Sequence, residues 1–331
     1  MKFLNKKIIN HNFLVTGGAG FIGSNIVKYL IHNNAKKVYV LDDLSNGRLT
    51  NLDEVKGCNN FQFVKGDIRN YQTCLKIVKK VDYVCHQAAL GSVPRSINDP
   101  LMSHDVNVNG FLNILNSIRK SNKNISLVYA SSSSVYGDSE ILPKKENNLG
   151  NVLSPYALTK KNNEQHAKIF FECFGVKSIG LRYFNVFGPF QDFNNPYAAV
   201  IPIFCNAFIT KNQPIVNGTG ETSRDFTYID NVIQANIKAM FHLDSQSCFQ
   251  TFNIGCGKQY SLNKVLEYLK EISSYSPKII YQDFRPGDVL HSNASILKAK
   301  SVLKYSPNIS FYDGLKLTYE WNKKNINEYS K

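Results

Sequence analysis

The sequence contains no CxxC pair, no internal repeat, no low-complexity linker and no uninterrupted apolar run of the ~18 residues that a membrane helix needs. Its seven cysteines are scattered at positions 58, 74, 85, 173, 205, 248 and 256. This odd, scattered set fits the reduced thiols of a cytoplasmic protein far better than a disulfide frame or a zinc site. The most apolar stretch, Tyr197 to Ile209, is too short to span a bilayer and is broken by Asn206. The opening MKFLNKKIINHNFLVTGG carries lysines but neither a long apolar segment nor a small-residue cleavage pattern, so a secretory signal is not expected. Also missing is a dense basic run with interleaved aromatics. The net charge of +14 is instead carried by dispersed pairs such as Lys36-Lys37, Lys79-Lys80 and Lys323-Lys324. Such pairs read as solvated faces that also suit an anionic small substrate. Neither a nucleic-acid partner nor membrane insertion is expected.

What is present is a chain of 331 residues, 43% hydrophobic and 19% charged, which suffices for a substantial core. Its first half alternates short apolar runs with segments of helical length, the pattern of a parallel sheet wrapped by helices. FLVTGG (13–18), VYVLDD (38–43), FQFVKGDI (61–68), VDYVCHQAA (81–89), SLVYASSS (126–133) and SIGLRYFN (178–185) read as strands buried on both faces. Phe21 to His32 reads as the first helix, with Ile22, Ile26 and Tyr29/Leu30 at core spacing. After about residue 186 prolines punctuate the chain, but a helix from about Asp230 and the strand TFNIG (251–255) return to the main layer. The predicted fold is therefore α/β, a Rossmann-type doubly wound parallel sheet with a smaller C-terminal substrate-binding lobe. Residues 1–186 plus about 228–256 would form the sheet domain, and about 187–227 plus 257–331 the lobe.

Gly17-Gly18-Ala19-Gly20-Phe21-Ile22-Gly23 lies between the first strand and the first helix. Glycines at 17, 20 and 23 permit a tight turn, backbone approach to a pyrophosphate and close helix–strand packing. The second strand ends in Asp42, whose carboxylate would accept hydrogen bonds from the adenosine ribose. Asp42 and Asp43 would repel a 2′-phosphate, and no arginine adjoins them in sequence, so NAD is favoured over NADP. Asp67-Ile68, at the third strand end, reads either as an adenine contact or as a plain strand-end cap.

Tyr156-Ala-Leu-Thr-Lys160 places a phenol and an ammonium one turn apart on one helix face. A tyrosine with a pKa of ~10 is a poor base at neutral pH, but a neighbouring ammonium and a positive nicotinamide ring would favour its phenolate. The strand-end run ASSSSVYG (130–137) supplies a hydroxyl to polarise the reacting oxygen.

TGGAGFIG, the Asp42 strand end, SSSSVYG, YALTK and LRYFNVFGP, in this order, resemble the extended short-chain dehydrogenase/reductases that act on nucleotide sugars. By position, Ser132 matches the catalytic Ser/Thr of that family, Tyr156 its base and Lys160 its ribose-binding lysine. The resemblance adds Phe21, Ile22, Asn46, Gly47, Gln87, Ala88, Ala89 and Tyr183 to the cofactor site. Dehydratases and decarboxylases of the family carry an acidic residue just before VYG, where this chain has Ser133 and Ser134. The expected outcome is therefore redox-neutral C4 epimerisation through a 4-keto sugar with tightly bound NAD.

HQAALGSVPRSINDP (86–100), YAAVIP (197–202), NGTGETSRDFTYIDN (217–231) and DFRPGDVLHS (283–292) are most similar to the bacterial UDP-N-acetylglucosamine 4-epimerase group of the family. That resemblance implies that Asn185, Ala199, Val200, Asn217, Arg224, Arg285 and Asp288 hold the UDP moiety, and that the chain is a homodimer through the Tyr156 helix and the helix near 107–120. It also implies that the hexose is boxed by Gly91, Ser92, Ser134, Asn185, Ala199 and Ser292, nearly all small. Related UDP-galactose epimerases carry a bulky tyrosine at the position of Ser292, so a serine there leaves room for an N-acetyl group. Ser92, Ser133 or Ser134 would bond the acetamido group or the rotating sugar. Gln259 stands where the resemblance leads one to expect an arginine. Asn107 and Asn109 read as bracing residues. Alternative readings are the same inversion on the uronic acid form, with Arg95 or Lys258 meeting the carboxylate, and a non-catalytic NAD-binding regulator.

Overall fold

A computed structural model of the chain describes residues 8–193, 198–284 and 290–329. Arg285 and Asp288 lie outside them. The first half alternates β1 (Asn12–Thr16), α1 (Phe21–His32), β2 (Lys37–Asp42), β3 (Phe61–Lys65), α2 (Tyr71–Val78) and β4 (Tyr83–His86). Short helices α3 (Val93–Asn98) and α4 (Pro100–His104) lead through a π-helical turn (Asp105–Asn109) into α5 (Gly110–Lys120). Then come β5 (Ser126–Ser132), the long α6 (Pro155–Phe174), β6 (Ser178–Tyr183), β7 (Val186–Phe187) and α7 (Val200–Ile209). The remainder comprises β8 (Ile215–Asn217), β9 (Ser223–Arg224), β10 (Thr227–Tyr228), α8 (Ile229–Ser245), β11 (Phe249–Ile254), β12 (Tyr260–Ser261), α9 (Leu262–Ser273), β13 (Ile280–Gln282), β14 (His291–Ser292), α10 (Leu297–Leu303) and α11 (Phe311–Tyr329).

Seven strands form one parallel sheet in the order β11-β6-β5-β4-β1-β2-β3. The order reverses between β1 and β4, and the crevice at the strand C-termini opens there. All four residues of β4 and all six of β6 are buried, as a sheet covered on both faces requires. Alternate residues feed two cores: Phe13 and Val15 point to one face, Leu14 to the other. α2 and α5 cover the Leu14 side, through Ile77, Phe111 and Leu115.

The other core does not stop at the sheet. It runs through Phe187, Phe226 and Phe311, whose rings contact one another at centroid separations of 6.4, 5.5 and 5.1 Å, into α9 and α11. The small sheets β7/β10 and β9/β12/β14 thus join this core through aromatic contacts, and β8/β13 through Val216. No helix among the described residues is long and apolar enough to cross a membrane.

Local chemistry sets the ends of α6. Ser154 caps it, accepting from Ala157 N at 3.1 Å, Pro155 occupies the first helical position, and Gly175 at φ +69° ends it. A buried ion pair then ties α6 to the sheet: the Arg182 guanidinium on β6 donates to both oxygens of Glu164, at 2.9 and 2.7 Å. Arg182 also donates to the Tyr136 hydroxyl and the Glu146 carbonyl. Removing one member of such a pair leaves a buried charge unpaired. Arg182→Met is therefore expected to destabilise the protein by about 3–5 kcal/mol, read as a lowered midpoint of urea unfolding with an unchanged slope.

Candidate active site

The turn after β1 forms the floor of a cavity of about 370 Å³. Gly17 has φ +65°, a conformation open to glycine. A Cβ on Gly23 would lie 2.1 Å from the Gly17 carbonyl oxygen, so the turn and the start of α1 fit together only without side chains. Gly20 precedes the helix with no side-chain cap, leaving the first amides of α1 for a ligand. Asp42 lies across the turn. Its carboxylate accepts from Ala19 N (2.9 Å) and Leu44 N (2.8 Å) and retains lone pairs for further donors. Burial raises its pKa, and these two backbone bonds work against that rise.

The predicted Phe21, Ile22, Asp43, Asn46, Gly47, Ile68, Gln87, Ala88 and Ala89 line this same cavity, with Gly91 at its end. The cradle fits an extended dinucleotide: a side-chain-free turn, a helix N-terminus and a carboxylate one strand away. Asp67 is oriented differently. Its carboxylate caps its own turn at Arg69 N and binds the Arg69 guanidinium at 2.6 and 2.8 Å, so of that pair Ile68 forms the wall. Tyr183 also differs. It is buried behind the cavity, its hydroxyl bonded to Gln87 and Asn236, so it braces Gln87 rather than facing the cavity itself. An arginine does reach this cavity, Arg48, and its guanidinium pairs with Asp192 at 2.9 Å.

At the C-terminal end of β5 the strand passes into a 3-10 turn (Ser133–Tyr136). Ser132 Oγ accepts from Ser134 N (3.1 Å) and bonds the Ser134 hydroxyl (2.9 Å). Ser133 is half-buried on the same turn. Tyr156 comes to this point from α6, near enough for the Ser132 hydroxyl to favour its phenolate. Lys160, buried beneath it, donates to the Ala130 carbonyl at 2.9 Å, and its Nζ lies 5.8 Å from the Tyr156 ring centre. The three residues expected to cooperate do converge.

Burial holds the Tyr156 phenol above its ordinary pKa, opposed by the Ser132 hydroxyl. Burial also pushes the Lys160 ammonium down to about 8, with Glu164 opposing the fall.

Among the positioning groups, Ser96 carries no sequence signature, whereas Asn107 and Ser92 are singled out by the sequence. Ser96 Oγ on α3 accepts from Tyr156 N at 3.0 Å and fixes the start of α6. The Asn107 side chain, in the π-helical turn, binds Leu90 N and O and donates to Thr159 on α6. Asn107 thus braces the loop after β4 against α6, and α5 starts three residues later. Ser92 Oγ caps α3 at Arg95 N.

A second cavity, of about 490 Å³, meets the first at Ala198 and Ala199. Asn185, Ala199, Val200, Asn217 and Arg224 all line it. Parallel pairing of β9 with β14 sets Ser292 beside Arg224. Asp225, fully buried, holds this corner together by accepting from Cys256 N (2.7 Å), Gly257 N (2.9 Å) and Ala294 N (3.2 Å). Its burial raises its pKa to about 6 despite these donors. Lys258 and Gln259 are exposed nearby in sequence.

Fold and site together define a dinucleotide-binding α/β enzyme whose tyrosine–lysine pair stands beside a strand-end serine. Residues 13–255 match the NAD dependent epimerase/dehydratase family, and the chain belongs to it. A protein of Methanocaldococcus jannaschii named as a putative UDP-glucose 4-epimerase is 37% identical over 94% of this chain and 98% of its own length. The UDP-glucuronate 4-epimerase of Thermodesulfobacterium geofontis is 33% identical over 95% of this chain and 97% of its own. Among solved structures, the UDP-N-acetylglucosamine 4-epimerase of Methanobrevibacter ruminantium, in complex with UDP-N-acetylmuramic acid, superposes with a TM-score of 0.89 at 37% identity, covering 95% of this chain and 99% of that one.

If the glycine turn carries the cofactor, Gly23→Ala removes it. The wild-type protein is expected to release NAD on denaturation and the variant to release none, by chromatography of the supernatant. Equal release from both would contradict that assignment.

Proposed function

We propose that this chain is a UDP-sugar 4-epimerase that interconverts the C4 epimers of a UDP-N-acetylhexosamine, UDP-GlcNAc and UDP-GalNAc. The observation that carries the reading is the convergence of Tyr156 and Ser132 on one point with only hydroxyls, those of Ser133 and Ser134, on the adjoining turn. With a nicotinamide to take up and return the hydride, a base and a polarising donor would suffice to make and unmake a C4 ketone. Elimination or decarboxylation needs a further acid or base, which this turn does not offer.

Tyr156 accepts the proton of the C4 hydroxyl and later returns it, while Ser132 holds that oxygen by hydrogen bonding. Lys160, with one of its three donors on Ala130 O, holds the ribose hydroxyls and keeps positive charge beneath the phenol. Bound NAD supplies the hydride acceptor and donor. The first cavity takes the dinucleotide and the second the uridine diphosphate, with Asn185, Asn217 and Arg224 as polar partners and Ala199 and Val200 as apolar wall. Gly91, Ser92, Ser134, Ala199 and Ser292 leave room for an acetamido group and for the sugar to turn over. Arg285 and Asp288, outside the described residues, remain assigned to the diphosphate by resemblance.

The uronic acid reading is weaker. Arg95, one of the two cations suggested for it, donates to Asn46 Oδ1 at 2.7 Å on the cofactor side. We also propose a homodimer through α6. Leu158 and Ile169 are exposed on it, and Leu101, on the adjacent α4, is 82% exposed. The lobe of residues 187–227 and 257–331 is read as the substrate-binding part.

Incubation with UDP-GlcNAc and no added reductant is expected to yield UDP-GalNAc, faster than UDP-GlcNAcA yields its epimer. Tyr156→Phe should lower the rate by about 10²–10⁴-fold. Ser292→Tyr should abolish turnover of UDP-GlcNAc while sparing UDP-glucose; loss of water or CO₂ from the sugar would contradict the assignment. Light scattering should report a dimer that Leu158→Glu converts to a monomer, and a monomeric wild type would refute the interface.

A further inference from the structure

Tyr156, Lys160 and Glu164 follow one another at i, i+4 and i+8 on α6, and the mechanism above uses only the first two. Glu164 is 4% exposed and lines neither cavity. Its Oε1 accepts from Ser131 Oγ at 2.6 Å and from Arg182 Nε at 2.9 Å, and its Oε2 from Arg182 Nη2 at 2.7 Å. Ser131 immediately precedes Ser132, and Arg182 immediately precedes Tyr183. One carboxylate therefore bonds the C-terminal ends of two adjacent strands, two turns along the helix from the proposed base.

Resting on the epimerase reading, we propose that Glu164 is a positioning residue. It fixes Ser132 against Tyr156 by tying β5 to α6, and its charge keeps the buried Lys160 protonated.

The geometry of the tether is direct. Ser132 and Tyr156 sit on different elements, and their proximity requires the end of β5 to hold its place relative to α6. Short charge-assisted bonds of this kind are the strong ones, and here they are shielded from water. Ser131 Oγ–Glu164 is the contact nearest Ser132 that crosses between these elements by a side-chain bond to a charged group.

The charge argument is equally local. Lys160 is 2% exposed, so desolvation favours its neutral form. Among the described residues, the charge acting on it is that of Glu164, one turn away. Across from β4 it meets His86, which is buried, bonded to the Thr16 hydroxyl and held neutral with a pKa of about 3. β5 offers it the Ala130 carbonyl and the uncharged Ser131. From β6 comes Arg182, which stands behind Glu164 and is bound to it. The π-helical turn that packs on α6 carries Asp105, already bonded to Arg69 and Asn109. Arg182 has a definite part in this: its two bonds hold the Glu164 carboxylate in place one turn from the lysine.

The test reads Lys160 and turnover separately. In protein labelled with ¹³C-lysine, the Lys160 signal, assigned by its loss in Lys160→Met, gives the ammonium midpoint whether or not any sugar is turned over. A wild-type midpoint at about 8 or higher is expected, whereas one below about 7 would mean that Glu164 does not offset burial. Glu164→Gln keeps the shape and removes the charge. Its midpoint is expected to fall by about one unit or more, and the alkaline limb of the kcat–pH profile to move down with it. An unmoved midpoint and limb would overturn the electrostatic role. Ser131→Ala leaves the ion pair intact and removes the tether, so it remains informative if Glu164→Gln does not fold. For it we expect kcat to fall about tenfold with KM and the alkaline limb unchanged, and full kcat would overturn the positioning role. Failure of wild-type protein to epimerise any UDP-sugar would count against the function, and the lysine titration would still decide the inference.

Discussion

The Glu164 carboxylate is where the sheet, the long helix and the chemistry meet. Arg182 on β6 and Ser131 on β5 both bond it, and it rides on the same helix as Tyr156 and Lys160. A buried ion pair is not by itself a source of stability, because desolvation offsets most of the attraction. What it does supply here is a defined arrangement. If α6 shifted by a turn, or slid along the sheet, both charges would be stranded in the core. The helix therefore has one place to sit, and that place brings its phenol to the serine at the end of β5.

The same crevice owes its cofactor side to the opposite kind of constraint, the removal of side chains. The turn after β1 is built so that Gly23 packs onto the Gly17 carbonyl with no space for a methyl group. The pyrophosphate-sized cradle and the opening amides of α1 are the product of that packing. Asp42 closes the cavity at the end of β2, and the Arg48–Asp192 pair bridges the loop after β2 to the segment after β7. The substrate side is formed by short strands whose register matters more than their length. β9 aligned on β14 brings Arg224 and Ser292 together, and Asp225, bonded to three backbone amides, holds that alignment.

The parts written in local spacing were legible without coordinates. The strands ending at Thr16, Asp42 and Ser132, the helix Phe21–His32, the glycine turn and the Tyr156–Lys160 pair all follow from periodicity and short motifs, and all fall where expected. The parts that depend on partners distant in sequence were not. Nothing adjacent to Glu164 marks its bond to Arg182, eighteen residues on in another element, and Ser96 gives no sign that it holds the amide of Tyr156. The partners of Asp67 and Tyr183 are a related case. Each residue lies beside the cofactor cavity in sequence, but Arg69 claims the first and Gln87 with Asn236 the second.

The central claim is that the chain inverts C4 of a UDP-sugar by removing and restoring the same hydrogen within a closed site. Epimerisation of UDP-GlcNAc carrying deuterium at C4 in ordinary water tests it most directly. The account predicts UDP-GalNAc with the deuterium retained at C4. Loss of the deuterium to solvent, or a product lacking water or carbon dioxide, would contradict it.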